Sequence, residues 1–193
     1  AGTVALAKSV VVEGVLTIAA TGSLTIDGSS TSYYGRIVTF ENYGTVHNNG
    51  TITIGSTSSA SVGTLGLSNN GIFNNNTGGQ INIDRSSGTG LSNTGTSASA
   101  FNNAGTITIG ANASVGSYGI YNLVAFNNNT GGQINIGNST NKGLYNGRVF
   151  TNAATINIGA NAPVGNYGIH NQFGATFNNN MGGQINIDRS TSA

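Results

Sequence analysis

The 193-residue chain contains no cysteine, a single proline and a single methionine, and only 6% of its residues are charged. Without cysteine there is no disulfide framework and no thiolate metal site, although the compartment stays open because secreted proteins can lack cysteine too. Average globular domains carry about a quarter charged residues. Here six Lys and Arg face five Asp and Glu, for a formal charge of +1. No basic stripe follows from that balance, so nucleic acid is excluded as a partner. Long apolar runs are missing as well. Nothing approaches 18 consecutive apolar residues, and no charged stretch leads into a shorter apolar one, so neither a membrane span nor a signal peptide is expected. Ala1 in place of Met points to a processed or excised chain.

What fills the space is Gly, at 31 residues, with Asn, Ser and Thr. Apolar residues return at regular intervals, which separates this composition from a disordered one. The phrase FNNNTGGQINI begins at Phe73 and at Phe126, and returns at Phe177 with Met for Thr. A related phrase, FNNAGTITIG, begins at Phe101, and FTNAATINIG begins at Phe150. Repeats of this kind decide the fold before any single motif does.

An Ile-x-Ile pair recurs at Ile52/Ile54, Ile81/Ile83, Ile107/Ile109, Ile134/Ile136, Ile156/Ile158 and Ile185/Ile187, in steps of 29, 26, 27, 22 and 29 residues. Upstream of each lies one large apolar residue: Val46, Phe73, Phe101, Phe126, Phe150, Phe177. Further upstream lies another: Phe40, Leu67, Leu91, Ile120, Leu144, Ile169. Two residues after each of these last comes an asparagine, at Asn42, Asn69, Asn93, Asn122, Asn146 and Asn171. The local period at the Ile pairs is two, and the segments are short and rich in β-branched residues and Gly, which reads as strand and not helix. Three short strands per unit of about 27 residues predict an all-β, parallel β-helix (β-solenoid), each coil stacked roughly 4.8 Å above the last. Residues 1–30 supply three alternating segments without the Phe and Asn signatures and read as an atypical N-terminal coil. Residues 31–193 supply six repeat coils, making about seven coils in a single solenoid.

Loop length varies only between the strands. Four coils place four residues from the asparagine to the next apolar station, whereas Asn93 to Phe101 takes eight and Asn171 to Phe177 takes six. The longest connections follow Ile-x-Ile-Gly, from Ala111 and from Ala160, and mark a corner where a binding surface could be elaborated. The six asparagines predict an internal ladder. Asn tolerates left-handed backbone, and its amide can bond the coils above and below. A second run, Asn74, Asn102, Asn127 and Asn178 with His47 and Thr151, reads as a similar ladder at another turn. Asn112 and Asn138 sit in N-x-S/T sequons, which an Asn- and Thr-rich chain also produces by chance.

The five carboxylates, Glu13, Asp27, Glu41, Asp84 and Asp188, are scattered. Asp84 and Asp188 fall in matching INIDRS phrases four units apart, about 19 Å along a solenoid, too far to form an acid/base pair. They and the adjoining Arg85 and Arg189 read as solvated turn residues. No enzyme activity, cofactor or metal is expected, and the Gly-rich Ca²⁺ pattern of β-rolls is absent.

With these motifs the chain resembles the repeat regions of bacterial cell-surface β-helix proteins, the autotransporter passengers and haemagglutinin-like adhesins. The resemblance covers nearly the whole sequence. It implies an extracellular or cell-surface location, a role in adhesion or in sheath or fibre building, and a right-handed coil, which the unequal coil lengths also favour over a strict six-residue left-handed repeat.

Two outward columns and the chain's ends complete the reading. Flanking the Ile pairs, Thr51/Thr53, Gln80/Asn82, Thr106/Thr108, Gln133/Asn135, Thr155/Asn157 and Gln184/Asn186 form a flat uncharged face, the basis of an ice-binding reading. Tyr121, Tyr145 and His170 occupy one outward position on successive coils, a candidate ligand face for glycans, with cross-coil ring stacking as the plainer role. The last coil offers Ile169, Phe177, Ile185 and Ile187 without a segment to cover them, and Lys8 and Glu13 are the only charges along the first strands. Head-to-tail self-association into a filament is therefore expected.

Overall fold

The computed structural model describes residues 2–6, 8–28, 30–31, 35, 37–55, 62–160 and 162–191. Every regular element among them is a β-strand. One coil serves as the template: Tyr118–Asn122, a turn, Ala125–Asn128, a turn, and Gln133–Ile136. The three strands enter three separate sheets, called here the first, second and third. Each sheet stacks the matching strand of every coil in parallel. Seven such layers run from Val10–Val12 to Gln184–Ile187, about six turns of climb, with Thr3–Leu6 adding one further strand beneath the third sheet. The exception to the parallel order is Ser30–Thr31, which pairs antiparallel with Ile37 and Val38.

The register is the one the apolar stations predict. Phe73 pairs with Phe101, Phe101 with Phe126 and Phe126 with Phe150. Ile107 pairs with Ile134, and Leu144 with Ile120 and Ile169. Because side chains alternate across a strand, each inward column is a stack of near-identical residues, and a one-residue slip would expose all of them. The phenylalanines from Phe73 to Phe177 stack face to face, with centroids 4.7–5.0 Å apart and planes within 9°. Phe40 belongs to the first sheet and meets Phe73 edge-on at 6.1 Å. Phe40, Phe73, Phe101, Phe126 and Phe150 are wholly buried.

Between the first and third sheets the chain comes very close. A methyl placed on Gly119 would lie 2.6 Å from the Gly143 carbonyl oxygen and 2.6 Å from Ile136 Cγ2. Gly66, Gly90, Gly143 and Gly168 meet Ile83, Ile109, Ile158 and Ile187 in the same way. From Gly66 to Gly168 the absence of Cβ lets the Ile column pack against this edge of the first sheet, while buried Thr39 takes the same register position one coil below.

Both ends of the stack lie on the solenoid axis. The N-terminal strands hold the common register, with Val12 beneath Asn42 and Ile18 beneath Asn48. Apolar side chains thus stand where later coils place asparagine, which makes this coil atypical in composition and regular in geometry.

Candidate functional site

The asparagine ladder is present. Nδ2 of Asn42 donates to Oδ1 of Asn69 at 2.7 Å, and the chain of bonds continues through Asn93, Asn122, Asn146 and Asn171 at 2.7–2.9 Å. Asn42 to Asn146 are fully buried, while Asn171, on the last coil, is exposed. The amides also donate to backbone carbonyls, mostly of the coil above: Asn42 to Ile72 at 3.0 Å, Asn93 to Ala125 at 2.9 Å and Asn122 to Val149 at 3.0 Å, with Asn122 also bonding Val124 in its own turn at 3.0 Å. The residues are in strands, and Arg85 is the one non-glycine residue with positive φ among the described residues. The side-chain amide, and not left-handed backbone, is thus the reason for asparagine here.

A second internal ladder runs through Asn48, Asn75, Asn103, Asn128, Asn152 and Asn179, with spacings of 2.7–2.8 Å. It lies one residue beyond the run expected from sequence. Asn74, Asn102 and Asn127 do bond from coil to coil, at 2.9 Å, but they stand half-buried on the outer surface. The missed signal is period two: in FNN the first residue points inward, so the third does also. All ten bonds of the two internal ladders point toward the C-terminal coil, a uniform alignment in which each amide polarises the next.

On the outer surface of the first sheet, Tyr121 and Tyr145 stack at 4.9 Å, and His170 meets Tyr145 edge-on at 5.3 Å. A neighbouring column that sequence reasoning did not single out joins them: Tyr118, Lys142 and Tyr167. The Lys142 ammonium lies 5.2 Å from the Tyr118 ring centre, 5.8 Å from Tyr167 and 5.9 Å from Tyr145. The Tyr145 hydroxyl donates to Gln172. Stacking along the axis turns the faces of Tyr121 and Tyr145 toward one another and leaves edges toward solvent. A sugar packs on ring faces, so this column fits cross-coil stabilisation better than a sugar platform.

The outer face of the third sheet is regular, yet its amides are spent on one another: Asn157 donates to Asn135 at 2.9 Å and Asn186 to Asn157 at 2.8 Å. A water-ordering lattice needs free hydroxyls in both columns, and here Gln and Asn interrupt the threonines on alternate coils or bond across them.

Asp84 departs from the sequence reading. It is buried beneath the loop of the next coil and accepts bonds from Asn112 Nδ2 at 2.9 Å, Asn112 N at 3.2 Å and Ala113 N at 3.4 Å. Its counterpart Asp188 is exposed beside Arg189, with 3.6 Å between charged atoms. Among the described residues no group of three or more His, Asp and Glu comes together. At the end of the stack, Ile169, Phe177 and Ile185 are half-buried and Ile187 is 47% exposed.

A further polar feature lies near the other end of the first sheet, where Glu41, Ser68 and Ser92 continue the column of Tyr121. The connection after Asn93, residues 94–99, rises beside it. Together they bound a groove of about 390 Å³ lined by Glu41, Tyr43, Ser68, Asn70 and residues 94–96.

Three parallel sheets wound about two interior asparagine columns define the class: a parallel β-solenoid. No family model, curated protein or solved structure matches the chain.

Proposed function

We propose that this chain is an extracellular structural β-solenoid, of the kind its repeats resemble in bacterial cell-surface proteins, and that it self-associates end to end into a fibre or surface layer. The observation that carries this reading is the placement of open apolar surface. Among the described residues twelve large apolar side chains are exposed, and eight belong to the two end coils. Val4, Leu6, Val11 and Val15 belong to one end coil, Val11 and Val15 at its outward positions; Tyr167, Phe173, Met181 and Ile187 belong to the other, with Tyr167 on the lateral face beside Lys142. Among the described residues the strands of an end coil also carry a row of backbone donors and acceptors with no ladder partner on their outer side. Docking one end on another repeats the parallel pairing made at every layer within the stack, and a net charge of +1 opposes it little. Such a contact is heterologous and does not close, so it grows into a filament.

Sedimentation velocity and negative-stain microscopy across a concentration series test the proposal. The expected result is rods that lengthen with concentration, and an Ile187→Asp variant that stays short. A chain that remains monomeric at every concentration overturns it. A second reading, an adhesin that holds a glycan on a lateral face, draws its support from the groove at Glu41.

A further inference from the structure

We infer that the groove at Glu41 is a binding site for a saccharide unit, held through its hydroxyl groups. The inference deepens the adhesin reading and stands whether or not the solenoid assembles end to end.

Two departures from regularity coincide here. The outward column of the first sheet carries serine at Ser68 and Ser92, between Glu41 and Tyr121. Small side chains leave a depression there that rings fill further along the stack. Beside it, the connection after Asn93 is four residues longer than in four of the other coils. That insertion is ordered by its own bonds: Ser99 Oγ donates to the Asn70 carbonyl at 2.6 Å, Thr94 Oγ1 donates to Asn70 Oδ1 at 2.9 Å, and the Thr96 amide donates to Ser99 Oγ at 3.1 Å. Gly95, at φ 109°, makes the bend that no residue with a side chain adopts without strain. A solenoid repeat gains nothing in core packing from a loop on its outside, and this one forms a wall.

The hydrogen-bond inventory selects the ligand. Glu41 is only 5% exposed, and the Tyr43 hydroxyl donates to its Oε1 at 2.7 Å. Among the described residues no cation pairs with this carboxylate. Asn70 Nδ2 donates to Ser68 Oγ at 3.3 Å, and the Thr94 hydroxyl is committed to Asn70. The donors around the groove are therefore largely used within the protein, while the carboxylate keeps acceptor positions open. A ligand that completes the site brings donors to a carboxylate beside an aromatic ring. Adjacent sugar hydroxyls do that. A volume of about 390 Å³ suits one or two sugar rings.

Saturation-transfer NMR on the intact chain tests this with the methyl glycosides of glucose, galactose and mannose, with N-acetylglucosamine, and with ethylammonium as a separate arm. At least one saccharide is expected to bind. Glu41→Gln, which keeps the shape and removes the charge, should weaken it about tenfold or more. Thr96→Trp, at an exposed position on the rim, should abolish binding by filling the groove, with thermal unfolding unchanged. The inference is overturned if no saccharide binds, if Thr96→Trp binds as well as the parent chain, or if ethylammonium binds as tightly as the best sugar, since the carboxylate would then be a cation site. Loss of binding in Tyr145→Ala with retention in Thr96→Trp would move the site to the rings and overturn it too.

Discussion

Replacing Asn122 by aspartate changes almost no volume and reverses the sense of the ladder at one rung. In the native chain the Asn122 amide nitrogen faces three acceptors: Asn146 Oδ1 at 2.9 Å, Val124 O at 3.0 Å and Val149 O at 3.0 Å. Its Oδ1 accepts from Asn93 at 2.7 Å. In Asn122→Asp the accepting bond survives and three oxygens confront a new oxygen, with no water, since the site is fully buried. An uncompensated buried charge costs about 3–5 kcal/mol. The chain escapes part of that cost by keeping the introduced carboxyl protonated, so burial raises its folded-state pKa above the unfolded value of about 3.9. A raised pKa means that stability is fully present below the unfolded value and is lost as pH rises through the folded one. The deficit relative to the parent chain should thus be about 3–5 kcal/mol at pH 7.5 and shrink to about 1–3 kcal/mol below pH 4, where a protonated carboxyl restores one donor. Urea melts of both proteins at the two pH values measure it. A deficit under about 1 kcal/mol at neutral pH, or one that grows on acidification, would refute the buried-ladder argument.

Phe126→Ala should cost about 3–5 kcal/mol, because the ring is wholly buried between Phe101 at 4.9 Å and Phe150 at 4.7 Å. A loss below 1 kcal/mol in denaturant melts would mean that the column is not core. Gly119→Ala, harmless on most strands, should destabilise by about 1–3 kcal/mol, since the new methyl meets a carbonyl oxygen and Ile136 Cγ2, both at 2.6 Å. Thermal unfolding of Gly119→Ala beside Gly119→Ala/Ile136→Val checks the mechanism: trimming the isoleucine's chain end leaves Cγ2 in place, so it should not rescue.

The architecture is legible in this sequence because every coil repeats the same inward residues. Three apolar stations and one asparagine, returning about every 27 residues, leave a single register that buries them all. The second ladder is less legible because FNN offers two asparagines in a row, and only strict alternation from Phe73 or Phe126 selects Asn75 and Asn128. The glycine column from Gly66 to Gly168 carries a signal, three residues before each asparagine from Asn69 to Asn171 of the first ladder, but a chain with 31 glycines hides it. The lateral features are legible only in pieces. Tyr121, Tyr145 and His170 can be placed on one column from the repeat alone, whereas Lys142 reaches the Tyr145 ring only by the way its strand stacks between Tyr118 and Tyr167. The groove at Glu41 depends on a loop that breaks the period, and a repeat alignment sets such a segment aside as an insertion.

The two INIDRS phrases make the last prediction, because identical words stand in unlike surroundings. Below each phrase the contacts are the same: the Val62 amide donates to the Arg85 carbonyl at 3.2 Å, and the Val164 amide donates to the Arg189 carbonyl at 3.1 Å. Above, they differ. Asp84 is roofed by the next coil, whose loop turns at Gly110, φ 69°, and lays the backbone of Asn112 and Ala113 and the Asn112 amide onto the carboxylate. The similar loop from Gly159 belongs to the coil below Asp188, where Ile158 pairs with Ile187, and Asp188 has no described coil above it. Asp84→Ala should therefore remove three hydrogen bonds to a buried carboxylate and cost about 1–3 kcal/mol, while Asp188→Ala should stay within about 0.5 kcal/mol. Denaturant melts at a concentration where the chain is monomeric measure both. Equal effects would refute the idea that a coil above, and not the phrase itself, gives this aspartate its work. Repeating the melts on assembled material extends the argument. If a second copy supplies the missing coil, Asp188→Ala acquires a cost in the assembled state, and the difference between the two conditions reports what sits on the end of the stack.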